Sequence, residues 1–499
     1  MKKDVQYFET VIIGTGFSGL LAAIRLKKKK IEDFVLLERS AELGGTWQQN
    51  SYPGAEVDVP TALYSFSFVP YPFTKKYAPQ SELLAYTNHI IDKFDLRQYA
   101  RTNQAVTTLR FEESEGLWHV ETASGEQYTA RFIIDTSGVL ANPKMPYIQG
   151  AETFEGTQFH TAQWDHSVSY EGKRVGVIGS GCSGVQVVTA IADKVDRLSV
   201  FMRTAEGIIP RSDRTYGAIE RYLITLPGIR HLNRLLTFCV HEARFIGFRR
   251  YPFTQKLSQF FKRGYARTLK KNLEKYIDDE NVRAHMMPDY ELGSRRLIPN
   301  NKFLPALSRD NVDVDISGIE RITPTGIRTK DGKDIPLDII VYATGFYAYS
   351  NAKELLSFQV YGLNGRHLNE EWESNIVSYK GITVSGYPNY FKINGPNTGT
   401  GHSSQISYMQ TMVDYTVKAI CAVRRDKTIK AINPKSEAQS AYVARVKKAM
   451  QSTVWQNATC KSFYRKGMTG DVTSLSPESV VHFIFSRKRL RLSDYHLIR

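Results

Sequence analysis

Two glycine-rich turns in this chain have the spacing that binds the phosphates of a dinucleotide. The first turn reads Gly14-Thr-Gly16-Phe17-Ser18-Gly19, and it follows the apolar run Thr10–Ile13 and precedes a helical pattern. Glycine at these places permits the tight turn, the close approach of backbone to a pyrophosphate and the packing of helix on strand. The N-terminus of the following helix then attracts the phosphates.

An acid completes the first unit. Glu38 ends a second apolar strand, nineteen residues after Gly19, and a carboxylate at this place accepts hydrogen bonds from ribose hydroxyls. The glycine pattern alone is weak evidence, but two strands, a helix and an acid surround it in the right order. A glycine-rich turn without a ligand is therefore the disfavoured alternative.

The second turn ends differently. It reads Gly179-Ser180-Gly181-Cys182-Ser183-Gly184 and follows the strand pattern Arg174–Ile178. Nineteen residues after Gly184 the chain has Arg203, followed by Thr204. An acid there would repel a 2′-phosphate, whereas a guanidinium can pair with it through two hydrogen bonds. We therefore expect FAD in the first unit and NADP(H) in the second.

Two further motifs carry a family resemblance. One runs from Gly44-Gly45-Thr46-Trp47 through Tyr52-Pro-Gly to Asp58, and the other is Phe154-x-Gly-x-x-x-His160-x-x-x-Trp164-Asp165. In this order they resemble the fingerprints of the Baeyer–Villiger monooxygenases, the ketone-oxidising branch of the class B flavoprotein monooxygenases. The branch that oxidises amines and sulfides usually has Tyr or Phe in place of Trp164. The resemblance extends from Val11 to Gly401.

The resemblance implies roles for the residues of the first motif. The Gly-Gly-Thr-Trp turn is expected to lie along FAD, and Asp58 to face the region where flavin and nicotinamide meet. Packing of Trp47 and Tyr52 in the core is the alternative, which two ordered fingerprints outweigh. The residues beyond the glycine turn that the resemblance assigns to FAD are Gly45, Thr46, Trp47, Asp58, Tyr64 and Val106.

A pair of adjacent arginines is the second implied feature. Gly293-Ser-Arg295-Arg296 resembles the family pattern Gly-x-Lys-Arg, with an arginine in the place of the lysine. The resemblance implies that Arg295 joins the 2′-phosphate site and that Arg296 stands over the flavin as the catalytic cation, oriented by Asp58. The exchange of lysine for arginine keeps the charge but changes the hydrogen-bond geometry. A solvated surface pair of arginines is the alternative.

The implied reaction needs NADPH, O2 and FAD. NADPH reduces the flavin, reduced flavin and O2 form a C4a-peroxide, and the peroxide attacks the carbonyl of a hydrophobic ketone to give an ester or lactone. Three alternatives stay open: oxygenation of sulfur or nitrogen, an uncoupled NADPH oxidase or flavin reductase, and a non-enzymatic FAD-binding protein. The aromatic content of 12% favours an apolar substrate cavity.

Composition excludes several other classes. No apolar run is long enough for a transmembrane helix, and the first residues do not form a signal peptide, so a cytoplasmic protein is expected. Four widely separated cysteines predict neither disulfides nor a metal site, and they disfavour a disulfide reductase. The net charge is +16, but no nucleic-acid module is recognisable, so no nucleic-acid partner is expected.

The expected fold is α/β, with two Rossmann-like dinucleotide-binding domains and a helical insertion in the NADP domain. The predicted boundaries are 1–148 for the first part of the FAD domain, 149–325 for the NADP domain with an insertion at 214–280, and 326–499 for the rest of the FAD domain and a substrate-cavity segment. Asn311 is expected to begin a strand that returns to the first domain. Asp338–Phe346 is expected to seal the FAD site.

The joint between the units is the second fingerprint. We interpret Phe154–Asp165 as a linker in which His160 and Trp164 fix the two domains relative to each other. A packed, hydrogen-bonded histidine is favoured there over a catalytic acid or base.

The insertion is strongly basic. Residues 214–276 contain fourteen Lys and Arg and three Glu, a balance of +11, and their leucines fall near helical spacing. Two interpretations are open: a solvated basic surface over the protein's own core, which is favoured because amphipathic helices are usually half buried, and a weak contact with a membrane surface.

Two stretches of the tail complete the prediction. The glycine-rich turn at 394–402 is expected to bring backbone N–H groups to the edge of the flavin ring. The stretch from Trp455 through Cys460 and Ser462 to Tyr464 is expected to cover the substrate cavity; both expectations rest on the resemblance.

Overall fold

A computed structural model describes residues 5–250, 252–347, 356–458, 464 and 470–499 of the chain. Its first sheet is built around the buried strand that leads into the first glycine turn. The strands of this sheet, in spatial order, are Gln359–Tyr361, Val106–Glu112, Leu117–Thr122, Gln127–Asp135, Gln6–Ile13, Phe34–Leu37 and Ala100–Arg101, with Tyr390–Lys392 paired to Gln127–Asp135.

The first sheet is mixed. The strands around Gln6–Ile13 are parallel to one another, while Val106–Glu112, Leu117–Thr122 and Gln127–Asp135 form an antiparallel meander. Because the carboxyl ends of the parallel strands lie at one edge, Ile13 is level with Leu37 and Asp135 at the site of the first glycine turn.

The second sheet has five parallel strands. In spatial order they are Val312–Asp315, Arg197–Phe201, Arg174–Ile178, Ile339–Tyr342 and Thr157–His160. Val175 and Val177 of the central strand, and Ile340 and Val341 beside it, are fully buried. A parallel sheet covered on both faces favours such continuous apolar runs over alternation.

Three predictions about chain course are wrong. Val312–Asp315 pairs with Arg197–Phe201, so it completes the second sheet and does not return to the first. Ile339–Tyr342 pairs with Arg174–Ile178, so the boundary expected after residue 325 cuts through the second sheet. Thr157–His160 is an edge strand of this sheet, not simply a linker. Short apolar strands are alike in either sheet, and their local sequence does not identify the strand with which each one pairs.

Smaller sheets and helices complete the fold. Ile319–Thr323, Gly326–Thr329 and Asp334–Pro336 are antiparallel; Gly207–Ile209 pairs with Leu297–Pro299, and Ala431–Pro434 pairs with Tyr495–Ile498. The α-helices are Phe17–Lys28, Thr46–Gln49, Gln80–Lys93, Cys182–Ile191, Ala218–Leu223, Pro227–Arg244, Pro252–Tyr276, Glu280–Met286, Phe303–Leu307, Leu368–Ser374, Gln405–Arg425, Ser436–Met450 and Val480–Arg487. Short 3₁₀ helices are Arg97–Tyr99, Ala151–Thr153, Thr161–Gln163, Phe245–Phe248, Leu363–Gly365 and Leu492–Asp494.

The insertion is helical, as its periodicity predicts, but its main helix has an unexpected orientation. In Pro227–Arg244, which we call the inverted helix, Leu232, Leu236 and Val240 are 57%, 59% and 57% exposed. The side chain of Arg234 instead points inward and donates hydrogen bonds to the carbonyl oxygens of Ala62 and Ser65. The favoured interpretation, leucines on the protein's own core, is therefore wrong for this helix.

No helix within the described ranges is both long and apolar enough to cross a membrane.

A buried ion pair holds the edge of the first sheet beside the glycine turn. Lys392 Nζ lies 2.9 Å from Asp135 Oδ2, and both side chains are fully buried. The Tyr390 hydroxyl donates to the same carboxylate at 2.6 Å. Burial by itself raises the pKa of Asp135, but Lys392, Tyr390 and Ser137 together hold the pKa below its usual value. The pair is thus charged, and each partner depends on the other.

We expect Lys392→Met to lower the free energy of unfolding by about 3–5 kcal/mol, because it leaves a buried carboxylate without its cation. The matched control is Lys333→Met, which removes a 2.9 Å contact with Asp331 on the surface and should cost at most about 1 kcal/mol. Chemical denaturation of both variants measures the difference, and equal losses would contradict this account of Asp135.

Candidate active site

The first glycine turn and the Gly-Gly-Thr-Trp block meet in space. A Cβ atom placed on Gly45 would lie 2.6 Å from the Cα atom of Gly16, so Gly45 cannot carry a side chain here. Gly45 also has φ of +57°, a conformation that favours glycine. The helix Phe17–Lys28 has Gly16 at its N-cap, so its first N–H groups have no capping side chain and can bind a phosphate.

The acid of the first unit lies beside this turn. The Glu38 carboxylate accepts hydrogen bonds from Thr15 N at 3.0 Å and from Thr15 Oγ1 at 2.6 Å. The backbone N–H of Gln104 donates to Glu38 O at 2.8 Å, and Val106, buried at 7% exposure, follows two residues later. The structure thus brings Glu38 and the approach to Val106 to the same place as the turn.

The second turn has the same construction. A Cβ atom on Gly179 would lie 2.5 Å from Ala343 O, whereas one on Gly181 would meet no described atom within 4 Å. Gly181 is the N-cap of the helix Cys182–Ile191. This open glycine at a helix N-terminus leaves room for a second pyrophosphate.

The cation predicted for the second unit is available. Arg203 is exposed at the end of the strand Arg197–Phe201, and none of the acids in the described ranges pairs with it. The next residue, Thr204, accepts a hydrogen bond at its carbonyl oxygen from Ser180 Oγ at 3.0 Å. Arg203 therefore directly precedes a residue that is tied to the second turn.

The block after Trp47 connects the two units. The hydroxyl of Tyr52 donates to Gln186 Oε1 at 2.8 Å and accepts from Ser183 Oγ at 3.1 Å. A Cβ atom on Gly54 would lie 2.5 Å from the carbonyl oxygen of Gln186. These contacts press a segment of the first unit onto the helix Cys182–Ile191 of the second. Tyr52 was assigned to the cofactor region or to packing, and it acts between the units.

Aromatic rings pack beside the first turn. Tyr64 lies edge-on to Trp47 with ring centroids 5.7 Å apart, and Phe17 lies 5.9 Å from Tyr64. Burial raises the pKa of Tyr64 far above its usual value, so the phenol is neutral. Three residues that the sequence assigns to FAD therefore form one cluster.

Arg296 and Asp58 form an ion pair across the units. Arg296 Nε donates to Asp58 Oδ2 at 2.9 Å, and one Nη atom contacts the same oxygen. Their side chains are 37% and 22% exposed, so the pair is only partly shielded from water. The negative charge of Asp58 raises the pKa of Arg296 well above its usual value. The two residues proposed as catalytic are thus in direct contact, and the guanidinium is permanently charged.

Two neutral groups adjoin Arg296. The Cys182 thiol forms a hydrogen bond with the guanidinium, and burial raises the pKa of this thiol to about 11 although Arg296 lowers it. Burial likewise raises the pKa of the Tyr464 phenol to about 12, again against the effect of Arg296. Both groups are protonated at neutral pH. Tyr464 belongs to the stretch expected to cover the cavity, and it lies near Arg296; Cys460 and Ser462 lie outside the described residues.

Arg295 has a different partner. Its guanidinium pairs with Glu206 at 2.5 Å and lies 5.5 Å from the centre of the Tyr290 ring. Burial raises the pKa of Glu206 to about 7, and Arg295 opposes this. Because Glu206 lies three residues after Arg203, the ion pair connects Arg295 to the loop that carries the predicted 2′-phosphate ligand.

The tail loop reaches the first glycine turn, while its predicted contact with the edge of the flavin ring stays a prediction. Asn394 Nδ2 donates to Ser18 Oγ at 3.3 Å, and Gln405 Nε2 donates to Asn394 Oδ1 at 2.9 Å. The hydroxyl of Ser404 caps the following helix Gln405–Arg425. At the far end of the loop, Gly401 touches Trp455, because a Cβ atom on that glycine would lie 2.8 Å from the indole ring.

His160 is a packed histidine at the joint. Its Nδ1 accepts a hydrogen bond from Ala162 N at 3.0 Å, and its Nε2 donates to Gly345 O at 2.9 Å. Burial lowers the pKa of His160, so the ring is neutral. Trp164 is buried against Phe159 with ring centroids 4.8 Å apart. These contacts are those of a packed, hydrogen-bonded histidine, as predicted, while the role of His160 and Trp164 in fixing the two domains relative to each other stays a prediction.

The site residues fit two dinucleotides. Each unit has a glycine turn at an uncapped helix N-terminus, and the approach of Gly16 to Gly45 leaves a backbone surface that any side chain would fill. Glu38 in one unit and Arg203 in the other match an unphosphorylated and a phosphorylated ribose. FAD would be held by the first set and NADP(H) by the second. Within the described ranges no cluster of His, Cys, Asp or Glu could hold a metal ion.

Comparison with known proteins gives matches over nearly the whole chain. A family model described as "Pyridine nucleotide-disulphide oxidoreductase" matches residues 11–220. A Baeyer–Villiger monooxygenase of Streptomyces coelicolor is 35% identical over 99% of this chain and 93% of its own length. One of Pseudomonas aeruginosa is 34% identical over 99% and 92%, and the cyclohexanone 1,2-monooxygenase of an Acinetobacter species is 30% identical over 90% and 89%.

Solved structures match the fold closely. A closed crystal structure of cyclohexanone monooxygenase superposes with a TM-score of 0.87 over 99% of both chains at 24% identity. The cyclohexanone monooxygenase of Rhodococcus sp. Phi1 bound to NADP⁺ gives a TM-score of 0.86 over 99% of both chains at 26% identity.

The fold and the site define a flavoenzyme with two dinucleotide-binding domains. Within that class, the chain belongs to the Baeyer–Villiger monooxygenase family. This confirms the predicted family, the α/β fold class, the enzyme class and the cofactor pair FAD and NADP(H). The ligand roles of the individual residues remain predictions.

Three contributors to the site were not predicted from the sequence. Glu206 pairs with Arg295, Gln186 holds Tyr52, and the Cys182 thiol meets Arg296 although it was assigned only to the coenzyme turn. The spacing of Glu206, three residues after Arg203, was the available signal, but an acid in a loop after a strand is too common to be informative. The partners of Gln186 and Cys182 come from remote parts of the chain and leave no local pattern.

We expect Arg203→Ala to raise the KM for NADPH by about ten- to a hundred-fold, because a charge-assisted contact with the 2′-phosphate is lost. The KM for NADH should change little. The control is Arg197→Ala, at the other end of the same strand, where the arginine pairs with Asp313. Steady-state oxidation of both coenzymes is the measurement, and equal changes in the two KM values would refute the assignment of Arg203.

Proposed function

We propose that this protein uses NADPH and O2 to insert one oxygen atom next to the carbonyl of a hydrophobic ketone, giving an ester or lactone. The observation that carries the proposal is the ion pair of Arg296 and Asp58 between two dinucleotide-binding units. Bound FAD supplies the redox and oxygen-activating chemistry, which amino-acid side chains do not perform. The side chains of the protein must bind, orient and stabilise charge.

Arg296 stabilises the negative charge that develops during oxygen insertion. Attack on a carbonyl places negative charge on oxygen, and a fixed cation stabilises that charge without first having to reorganise. Asp58 holds the guanidinium through two of its nitrogen atoms, which fixes its plane. Because the neighbouring Cys182 and Tyr464 are neutral at pH 7, Asp58 is the single anionic partner of the cation among the described residues.

Arg295 and Arg203 form the proposed 2′-phosphate site. Arg203 is exposed, and Arg295 approaches the same loop through its ion pair with Glu206. Glu206 therefore competes with a phosphate for Arg295. This competition makes the affinity for NADPH depend on the protonation of one carboxyl group.

We expect Arg296→Ala to lower ester or lactone formation by at least about a hundred-fold, the usual cost of removing a fixed group that stabilises the transition state. Reduction of the bound flavin by NADPH in the absence of O2 should remain measurable. The control is Arg309→Ala, an exposed arginine of the second unit. Gas chromatography of products and anaerobic absorbance at the flavin band give the two readouts.

Three outcomes of that experiment distinguish the alternatives. Normal product yield from Arg296→Ala removes Arg296 from the mechanism. Sulfoxides or N-oxides from the wild type, with no ester from any ketone, indicate oxygenation of sulfur or nitrogen. Stoichiometric hydrogen peroxide with every ketone indicates an uncoupled oxidase.

We expect Glu206→Gln to lower the KM for NADPH about three- to ten-fold at pH 8 and to have little effect at pH 6. The pKa of Glu206 is about 7, so the wild-type carboxylate is charged and competes for Arg295 only above that pH. The measurement is the pH profile of the NADPH KM with the NADH KM as internal control. A pH-independent effect would show that Glu206 acts through structure alone.

Two further properties belong to the proposal. The segment 214–276 makes a weak contact with a membrane surface, which its charge of +11 supports. The protein resides in the cytoplasm; in support, the three cysteines of the described ranges, Cys182, Cys239 and Cys421, are free thiols.

A further inference from the structure

The inverted helix, Pro227–Arg244, presents its apolar side to solvent. Its exposed apolar residues recur at intervals of three and four, which places them on one side of an α-helix. We call this side the docking face. It consists of Ile229, Leu232, Leu235, Leu236 and Val240, all at least 41% exposed. Contiguous apolar surface of this kind is rare on soluble monomers unless something binds there.

The orientation of the helix is fixed by polar contacts on its inner side. Arg234 donates to the carbonyl oxygens of Ala62 and Ser65 at 2.7 and 3.0 Å. His241, 6% exposed, contacts the carbonyl oxygen of His402 at 3.1 Å. A rotation that buried the leucines would expose these polar contacts to solvent and leave the carbonyl groups without donors. The polar contacts on the inner side therefore fix the helix with its apolar face toward solvent.

A second helix extends the apolar surface. Glu242 accepts hydrogen bonds from the backbone N–H groups of Val480 and Val481, each at 3.1 Å. The helix Val480–Arg487 thus begins at the C-terminal end of the inverted helix. Its residues Val481, Ile484 and Phe485 are 41%, 38% and 66% exposed.

The charge of the segment that contains the inverted helix decides between two occupants. Residues 214–276 carry +11, and nine of the basic residues are exposed: Arg214, Arg244, Arg250, Lys256, Arg263, Arg267, Lys270, Lys271 and Lys275. A second copy of the chain would bring an equally basic surface toward this one, and like charges repel. Anionic lipid headgroups instead complement the basic residues while the leucines enter the acyl boundary.

A short segment after the inverted helix connects the docking face with the proposed active site. After the inverted helix, Phe245 packs on the ring of His402 at 4.8 Å, and Phe248 stacks on Trp455 at 5.4 Å. Phe248 also touches Gly293, two residues before Arg295, since a Cβ atom there would lie 2.9 Å from the phenyl ring. The short 3₁₀ helix Phe245–Phe248 thus links the docking face to the loop of the two arginines and to the expected cover of the substrate cavity.

We infer that the docking face binds the surface of an anionic lipid bilayer, and that the ketones this enzyme oxidises are lipid-soluble ones that dissolve in that bilayer. The first half gives the membrane contact proposed for segment 214–276 a defined surface and lipid charge, and the second half rests on the proposed oxidation of ketones. The binding is peripheral. The docking face lies in the interface between lipid headgroups and acyl chains, and basic side chains contact the headgroups. A lipid-soluble substrate would then be concentrated beside the entrance to its cavity.

The first experiment measures binding to vesicles without any turnover. The FAD-loaded protein should co-sediment with vesicles of phosphatidylcholine mixed with phosphatidylglycerol, and much less with phosphatidylcholine alone. Salt at about 0.5 M should weaken the binding through screening. The double variant Leu232→Gln/Leu236→Gln should bind at least about ten-fold more weakly, because two leucine side chains are no longer transferred from water into the bilayer.

Two controls accompany the double variant. Leu140→Gln/Met145→Gln makes the same chemical change at exposed apolar residues outside the insertion and should bind like the wild type. Phe485→Ser should weaken binding independently, because it changes the second helix. All of these side chains are exposed, so flavin content and the unfolding temperature should stay unchanged.

Three results would overturn the inference of membrane binding. The first is absence of sedimentation with either kind of vesicle. The second is binding that Leu232→Gln/Leu236→Gln does not weaken. The third is concentration-dependent dimerisation in analytical ultracentrifugation that the same variant abolishes, which would assign the docking face to a second copy.

The second experiment tests the substrate class. With anionic vesicles present, the double variant should oxidise a long-chain ketone dissolved in the vesicles at least about five-fold more slowly than the wild type. Oxidation of water-soluble cyclohexanone should be equal in the two proteins. Equal rates for the long-chain ketone would refute delivery from the bilayer. If neither protein oxidises any ketone, the proposed function fails while the binding result stands.

Discussion

The contact between Arg296 and Asp58 is the interaction on which the rest of the site depends. The arginine comes from the second unit and the aspartate from the first, so the pair exists only if both sheets hold a fixed relative position. An ion pair that is partly exposed contributes little to stability by itself. Its value is positional, because it presents a permanent positive charge at the place where the two dinucleotide sites meet.

The surroundings of the two arginines explain why neighbours in sequence can have separate tasks. Arg296 takes its acid from the other unit, while Arg295 takes Glu206 from its own. The negative charge of Asp58 raises the pKa of Arg296 well above its usual value. Burial brings the pKa of Glu206 to about 7, so the partner of Arg295 can lose its charge and give way to a phosphate.

Much of this arrangement could be predicted from the sequence, because its elements are local. The glycine turns, Glu38, Arg203 and the strands around them are consecutive patterns, and the structure places them together as expected. The errors have one origin. Strand partners more than a hundred residues away decide which sheet contains Val312–Asp315 or Ile339–Tyr342. The sequence of a short apolar strand does not identify these partners.

The inverted helix shows the same limit, since periodicity identifies an apolar side but not the direction in which it faces. Arg234 settles that direction through contacts with residues 62 and 65.

The contact of Tyr52 and Gly54 with the helix Cys182–Ile191 has a consequence for building hybrids of related enzymes. The hydroxyl of Tyr52 and the backbone at Gly54 are fitted to Gln186, which lies in the other unit. A crossover placed anywhere between residues 64 and 174 would exchange one side of this fitted surface and keep the other. A hybrid that exchanges one dinucleotide-binding domain, with the boundaries predicted from the sequence, would therefore disrupt this contact. The segment 46–58 should be exchanged together with the helix against which it packs.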